Sequence, residues 1–207
     1  MKFKIAYLLF AAVLFVSCER KLKPPVGGSG SSPAAALIGK WKLISTAGST
    51  ISSSELDLFG IKTRTESKIT YTSSNPKGFY EITSTDFKAV GLGYDYGGVV
   101  NIKIYADNVL QNEVTNPFPA APIGPYDQST PYKLVGSDSI SFTSATPVFV
   151  FQTASGPLVP PSGCKYKIAG KTLTLTMKYS NTNTDNSSGI PIVNKSNVDA
   201  NYVLEKQ

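Results

Sequence analysis

From Leu37 onward, apolar and polar residues alternate with a period of two, which places one side of an extended chain in a core and the other in water. In GKWKLIST, Trp41 and Leu43 fall on one face and Lys40 and Lys42 on the other. The clearest unit is CKYKIAGKTLTLTMKYS. Cys164, Tyr166 and Ile168 alternate with Lys165 and Lys167, Ala169-Gly170-Lys171 turns the chain, and Leu173, Leu175, Met177 and Tyr179 then alternate with Thr172, Thr174, Thr176 and Lys178. This is a hairpin with one buried and one wet face. The same pattern predicts strands near 61–72, 78–83, 86–96, 98–106, 109–115, 131–136, 139–144, 147–153 and 201–206. Asp107-Asn108 and Ser137-Asp138 have turn chemistry.

Other stretches break the alternation. Ser52-x-x-Glu55, followed by Leu56, Leu58, Phe59 and Gly60, reads as a capped helical turn or equally as an irregular loop. PVFVF, 147–151, is apolar on both faces and predicts a strand covered on both sides. Asn116 to Pro131 is rich in proline, which excludes it from a central sheet. Asn181 to Asn197 is long and polar and reads as a second loop, of a length usually tied to function or mobility. Around ten short strands with turn signals predict an all-β domain: an antiparallel up-and-down barrel of eight to ten strands, with a β-sandwich as the alternative.

The first 17 residues follow another rule. Lys2 and Lys4 precede an apolar run, Ile5 to Val16, that is too short to span ~30 Å of hydrocarbon. They read as a secretory signal peptide. The run ends Phe15-Val16-Ser17-Cys18, which resembles the bacterial lipoprotein lipobox. The resemblance implies that Cys18 is the lipid attachment site: acylated on sulfur, made the first residue by cleavage, then N-acylated. A single acyl chain binds membranes only marginally, so several chains (palmitate among them) suit a stable anchor. The alternative is a plain signal peptide followed by an incidental cysteine. Residues 18–36 hold ERKLKPPVGGSGSSPAAA, a composition unable to bury a core. They read as a flexible tether with a reach of about 20–25 Å. Residues 37–207 are the domain.

Composition narrows the chemistry. Of 207 residues, 41% are apolar and only 16% charged, and none is histidine. Histidine triads, histidine metal sites and histidine bases are therefore excluded. Formal charge is +6, and +4 without the leader lysines, spread without a cluster. No nucleic-acid partner is predicted. With Cys18 lipidated, Cys164 is left without an intramolecular partner and reads as a buried, inert thiol.

Neither a G-x-S-x-G elbow, a phosphate-binding glycine pattern nor a CxxC pair is present. Asn181-x-Asn183-x-Asp185 has the oxygen spacing that opens a calcium loop, but its sixth position is Asn186, not Gly, and its twelfth Ile192, not Glu. A plain polar loop is the reading, and no metal or other cofactor is expected. Glu81, Asp86, Asp95 and Glu113 supply carboxylates with nothing in the sequence to pair them. No enzyme is predicted.

The aromatic residues give the candidate ligand contacts. Tyr94 and Tyr96 share a face among Gly91, Gly93, Gly97 and Gly98, and Phe149 and Phe151 share another. Such pairs suit apolar ligands or sugars, or ordinary core packing.

The order of features (Gly39-Lys40-Trp41, a meander, the hairpin YKIAGKTLTLTM, a final NYVLEK strand) resembles the lipocalin-like lipoproteins of Bacteroidetes-type bacteria over most of 37–207. The resemblance implies a barrel closed at one end by Trp41, with Lys206 standing where lipocalins place an arginine over the tryptophan. It implies a noncatalytic module at the bacterial cell envelope, on the outer membrane, holding a small apolar molecule or lipid in the barrel. A filled module that docks an envelope protein or a glycan is the alternative. Glu19 is the single acidic residue following Cys18 in the tether, which favours the periplasmic side over the cell surface.

Overall fold

The computed structural model describes residues 33–144, 162–187 and 189–207. Cys18, Phe149, Phe151 and the strand expected at 147–153 lie outside them. Ser31–Gln207 form one compact unit. One helical turn, α1 (Pro33–Leu37), leads into eight strands: β1 (Gly39–Leu58), β2 (Ile61–Ile82), β3 (Asp86–Ala106), β4 (Val109–Val135), β5 (Ser139–Phe142), β6 (Gly163–Ala169), β7 (Thr172–Asp185) and β8 (Ile192–Lys206). Each pairs antiparallel with its neighbours in sequence, and β1 pairs with β8 to close an up-and-down barrel. Where all eight strands pair, closure removes the free edges that an open sheet presents.

Alternation sets the core. Along β8, Ser196, Val198, Ala200, Tyr202 and Leu204 are buried while the residues between them are not. The hairpin at Gly170 is in the expected register, with Tyr166 opposite Leu175 and Ile168 opposite Leu173. Asp107 and Asn108 turn the β3–β4 hairpin with φ of 47° and 65°, the left-handed values that Asn and Asp tolerate.

Three sequence expectations are corrected. Ser52 to Leu58 is neither a helical turn nor a loop, because β1 runs on through it between β2 and β8, with Ser52 buried. Asn116 to Pro131 is not a loop. It belongs to β4 and pairs with β3, from Val99 opposite Pro117 to Asp86 opposite Pro131. Proline fits there because, among the described residues, the ladder from β4 to β5 begins only at Tyr132, with the Pro131 carbonyl oxygen just before it accepting from the Thr143 amide at 3.1 Å. Asn181 to Asn197 is mostly strand as well: β7 extends to Asp185, β8 starts at Ile192, and Asn181 pairs with Ser196.

Short expected strands fuse into long ones through bulges. β2 and β3 shift register between Ser74 and Phe79, where Gly78 (φ 71°) faces Gly91 (φ 53°). A Cβ on Gly78 would strike the Gly91 carbonyl, so the crossing needs glycine.

Strand lengths divide the barrel. At the base, all eight strands contribute and the wall is continuous. Above it, among the described residues, β5 and β6 stop while β1–β4, β7 and β8 continue. The upper end carries the turns at Phe59-Gly60 and Asp107-Asn108.

Candidate functional site

The base is a plug built on Trp41, which is fully buried. Its Nε1–H donates to the Leu37 carbonyl oxygen at 2.8 Å, which ties α1 across the barrel end. Lys206, opposite Trp41 in the β1–β8 register, places Nζ 5.2 Å from the ring centroid. The same ammonium donates to the Ala36 carbonyl oxygen at 3.2 Å. Phe87 lies at the centre of an edge-to-face cluster, 5.2 Å from Tyr80, 5.6 Å from Phe142 and 6.4 Å from Tyr132 between centroids. These are favourable aromatic geometries, and they fill the floor with side chains.

Above the floor lies a tyrosine layer. Tyr71, Tyr80, Tyr94 and Tyr202 are buried, with Tyr126 packed against them. Burial pushes the Tyr71 phenol up to about 12, helped by the negative charge of Asp199. Tyr80, Tyr94 and Tyr202 are raised well above the ordinary value too, again chiefly by burial. These phenols are neutral at ordinary pH and do not serve as bases.

The structure separates the candidate ligand contacts. Tyr94 is 3% exposed and belongs to the core, whereas Tyr96 is only partly buried, its ring 5.9 Å from that of Phe118. Of the glycines beside them, Gly93, Gly97 and Gly98 stand against neighbouring backbone, whereas Gly91 faces open space. A Cβ on Gly98 would strike the Thr70 carbonyl oxygen of β2. Phe149 and Phe151 fall outside the described residues.

Cavities open where β5 and β6 end. A cleft of about 580 Å³ lies over β5, β6 and β7. Val135, Ile140, Cys164 and Tyr179 give it an apolar lining, and Ser139, Ser141, Thr176, Lys165 and Lys178 its polar tips. A second hollow, about 460 Å³, runs from β7 over β8 and β1 and shares Lys178 and Tyr179. Both lysines hold carboxylates at the rim, Lys165 with Asp138 at 3.3 Å and Lys178 with Asp199 at 3.0 Å. The Ser139 hydroxyl and then Lys165 hold the Asp138 carboxyl below its usual value. Burial pushes the Cys164 thiol up to about 12, so it contributes surface rather than a nucleophile. Sequence reasoning missed this cleft. The available signal was GPLVPPSG, 156–163, where alternation stops just before β6.

The carboxylates singled out in the sequence are spread over the barrel. Asp86 Oδ2 accepts from the Thr85 hydroxyl at 2.6 Å, and Asp95 Oδ2 from Asn75 Nδ2 at 2.7 Å. Glu113 Oε1 accepts from Asn101 at 2.8 Å and lies 3.6 Å from Lys103 Nζ. Glu81 stands opposite Lys88. Asn181, Asn183 and Asp185 alternate along β7 rather than wrapping a loop, and Asp185 accepts from the Ser187 amide at 2.8 Å. Among the described residues, no three Asp, Glu, Cys or His side chains are grouped to hold a metal ion. No protein-family model matches the chain, and no curated protein matches it.

Proposed function

We propose that this chain is a lipid-anchored, noncatalytic binding protein of the bacterial cell envelope, a lipocalin-like lipoprotein in which a small, largely apolar molecule or a lipid sits in the cleft over β5–β7. The observation that carries the reading is the cleft itself. Its volume of about 580 Å³ lies within the ~300–1,000 Å³ usual for ligand pockets, and it combines an apolar lining with a few polar tips. The solid floor supports a site in the wall rather than a deep central calyx. The anchor rests on the Phe15–Cys18 motif, and outer-membrane attachment on the periplasmic side goes with it.

The test is native mass spectrometry of the barrel purified without detergent. A co-purifying mass that is lost when Ser141→Trp fills the cleft supports the reading. An empty protein that also takes up no lipid or fluorescent apolar probe defeats it. Replacing Cys18 with Ala tests the anchor separately, and release from the membrane is the expected result.

A filled module that docks an envelope protein or glycan is the second reading. The complete packing of the base and the burial of Tyr94 favour it. Crosslinking at the membrane to one defined partner, with the cleft empty, would replace the first reading by this one.

A further inference from the structure

We infer that the two hairpin tips at the upper end of the barrel insert into a zwitterionic lipid surface, through a contact separate from the acyl anchor. Leu58, Phe59 and Ile61 form the β1–β2 tip, and Val109 and Leu110 follow the turn of the β3–β4 tip. Their exposures are 38%, 104%, 53%, 62% and 47%. Single exposed apolar residues are ordinary, but five on two adjacent hairpins form a patch.

The two tips are joined. Thr63 pairs with Ala106, the Lys62 amide donates to Asp107 Oδ1 at 3.0 Å, and the Asp107 amide returns to the Lys62 carbonyl oxygen at 2.8 Å. The Gly60 amide donates to Asp57 Oδ1 at 2.9 Å. Turn amides already bonded within the protein can enter an apolar medium without stranding a donor. Phe59 also holds φ at 54°, a value rare for a bulky residue and one that Asn takes readily. A fully exposed phenyl ring at that strained position contributes nothing to the fold.

Shape and charge choose the occupant. The patch is convex, two projecting loops, and a lipid interface accepts such a tip without a matching pocket. Behind it on the outer wall, Arg64 stacks over Tyr105 at 4.3 Å, a cation and an aromatic ring at the level where headgroups would lie. Residues 55–66 and 103–113 carry five carboxylates against three cations, so anionic lipid is not attracted. Apolar insertion is the driving force, and binding is therefore insensitive to salt. The chain enters the barrel at Gly39, the other end of the 20-residue β1 from the β1–β2 tip.

The test uses residues 31–207, which contain the closed sheet and its core, with vesicles of phosphatidylcholine and phosphatidylethanolamine. The barrel is expected to co-sediment with them, and raising salt from about 50 to 500 mM should change binding less than about twofold. Phe59→Asn with Leu110→Ser should weaken binding at least about tenfold while keeping or raising the melting temperature. Ile44→Ser, which removes an exposed apolar residue far from the tips, should leave binding unchanged. The inference is overturned if the barrel ignores these vesicles, if the tip variant binds as well as the parent, or if binding needs anionic lipid and is lost in salt. Self-association that the tip variant abolishes, without vesicle binding, would instead assign the patch to a second copy of the chain and also overturn it.

Discussion

Replacing Trp41 with Phe tests the plug. The change keeps an aromatic ring but removes the Nε1–H that bonds the Leu37 carbonyl oxygen at 2.8 Å in a fully buried site. A buried acceptor left without its donor costs about 1–3 kcal/mol. The smaller ring leaves a void of roughly 40 Å³, which at ~24 cal/mol per Å³ costs about 1 kcal/mol. Weakening the Lys206–ring contact at 5.2 Å removes about 0.5–1 kcal/mol. The total, about 2.5–5 kcal/mol, is a large share of the ~5–15 kcal/mol that domains usually possess. With a urea slope of about 2 kcal/mol per M, the unfolding midpoint should fall by about 1.2–2.5 M. Circular dichroism is the assay, because Trp41 is the one tryptophan and the variant has no indole fluorescence. Lys206→Met in both backgrounds completes a double-mutant cycle, with a coupling of about 0.5–1 kcal/mol expected between the two residues. A midpoint that falls by less than about 0.5 M would refute the reasoning, since the indole would then not be holding α1 to the barrel.

Two further outcomes follow from the interior. Gly98→Ala drives a methyl group into the Thr70 carbonyl and the Tyr71 backbone, so the β2–β3 ladder must shift; a loss of at least about 2 kcal/mol in the same urea assay is expected, and a neutral variant would show that the strands separate freely there. The buried tyrosines set an alkaline limit. Their folded pKa values lie above the ordinary 10.0, reaching about 12 for Tyr71, so their neutral forms contribute fully below pH 10. Above pH 10 the unfolded chain gains by ionising, and stability falls by about 1.4 kcal/mol per pH unit for each such tyrosine, down through the folded pKa. Cooperative loss of far-ultraviolet circular dichroism between about pH 10 and 12, with phenolate absorbance rising alongside it, is the expected result. Full phenolate signal from all eleven tyrosines with the fold intact would contradict it.

Helix α1 at the barrel base and the hairpin tips at the opposite end give the barrel two unlike poles. The base holds Trp41, Lys206 and the aromatic cluster, all concerned with closure. The cleft lies between the poles, where β5 and β6 stop short. The binding proposed in the wall and the contact proposed at the tips would use different surfaces, and variants at Ser141 and at Phe59 should act independently.

Much of the barrel is legible in the chain because alternation is a local property. Each residue of CKYKIAGKTLTLTMKYS declares its face through its own chemistry, and Gly170 or Asp107-Asn108 declares a turn through the backbone angles it tolerates. The meander, the buried Trp41 and the all-β class follow from that alone. Alternation does not state how many strands a pattern represents, since a bulge and a turn interrupt it alike; Gly78 opposite Gly91 joins what read as separate strands. Nor does it say where along a strand the neighbouring ladder begins, and the prolines from Pro117 to Pro131 stand in β4 before its ladder to β5 starts at Tyr132. The cleft and the tips lie furthest from the sequence. They arise from differences in length between strands that meet only after the chain has closed, and burial of Tyr94 beside exposure of Phe59 is set by neighbours distant in sequence.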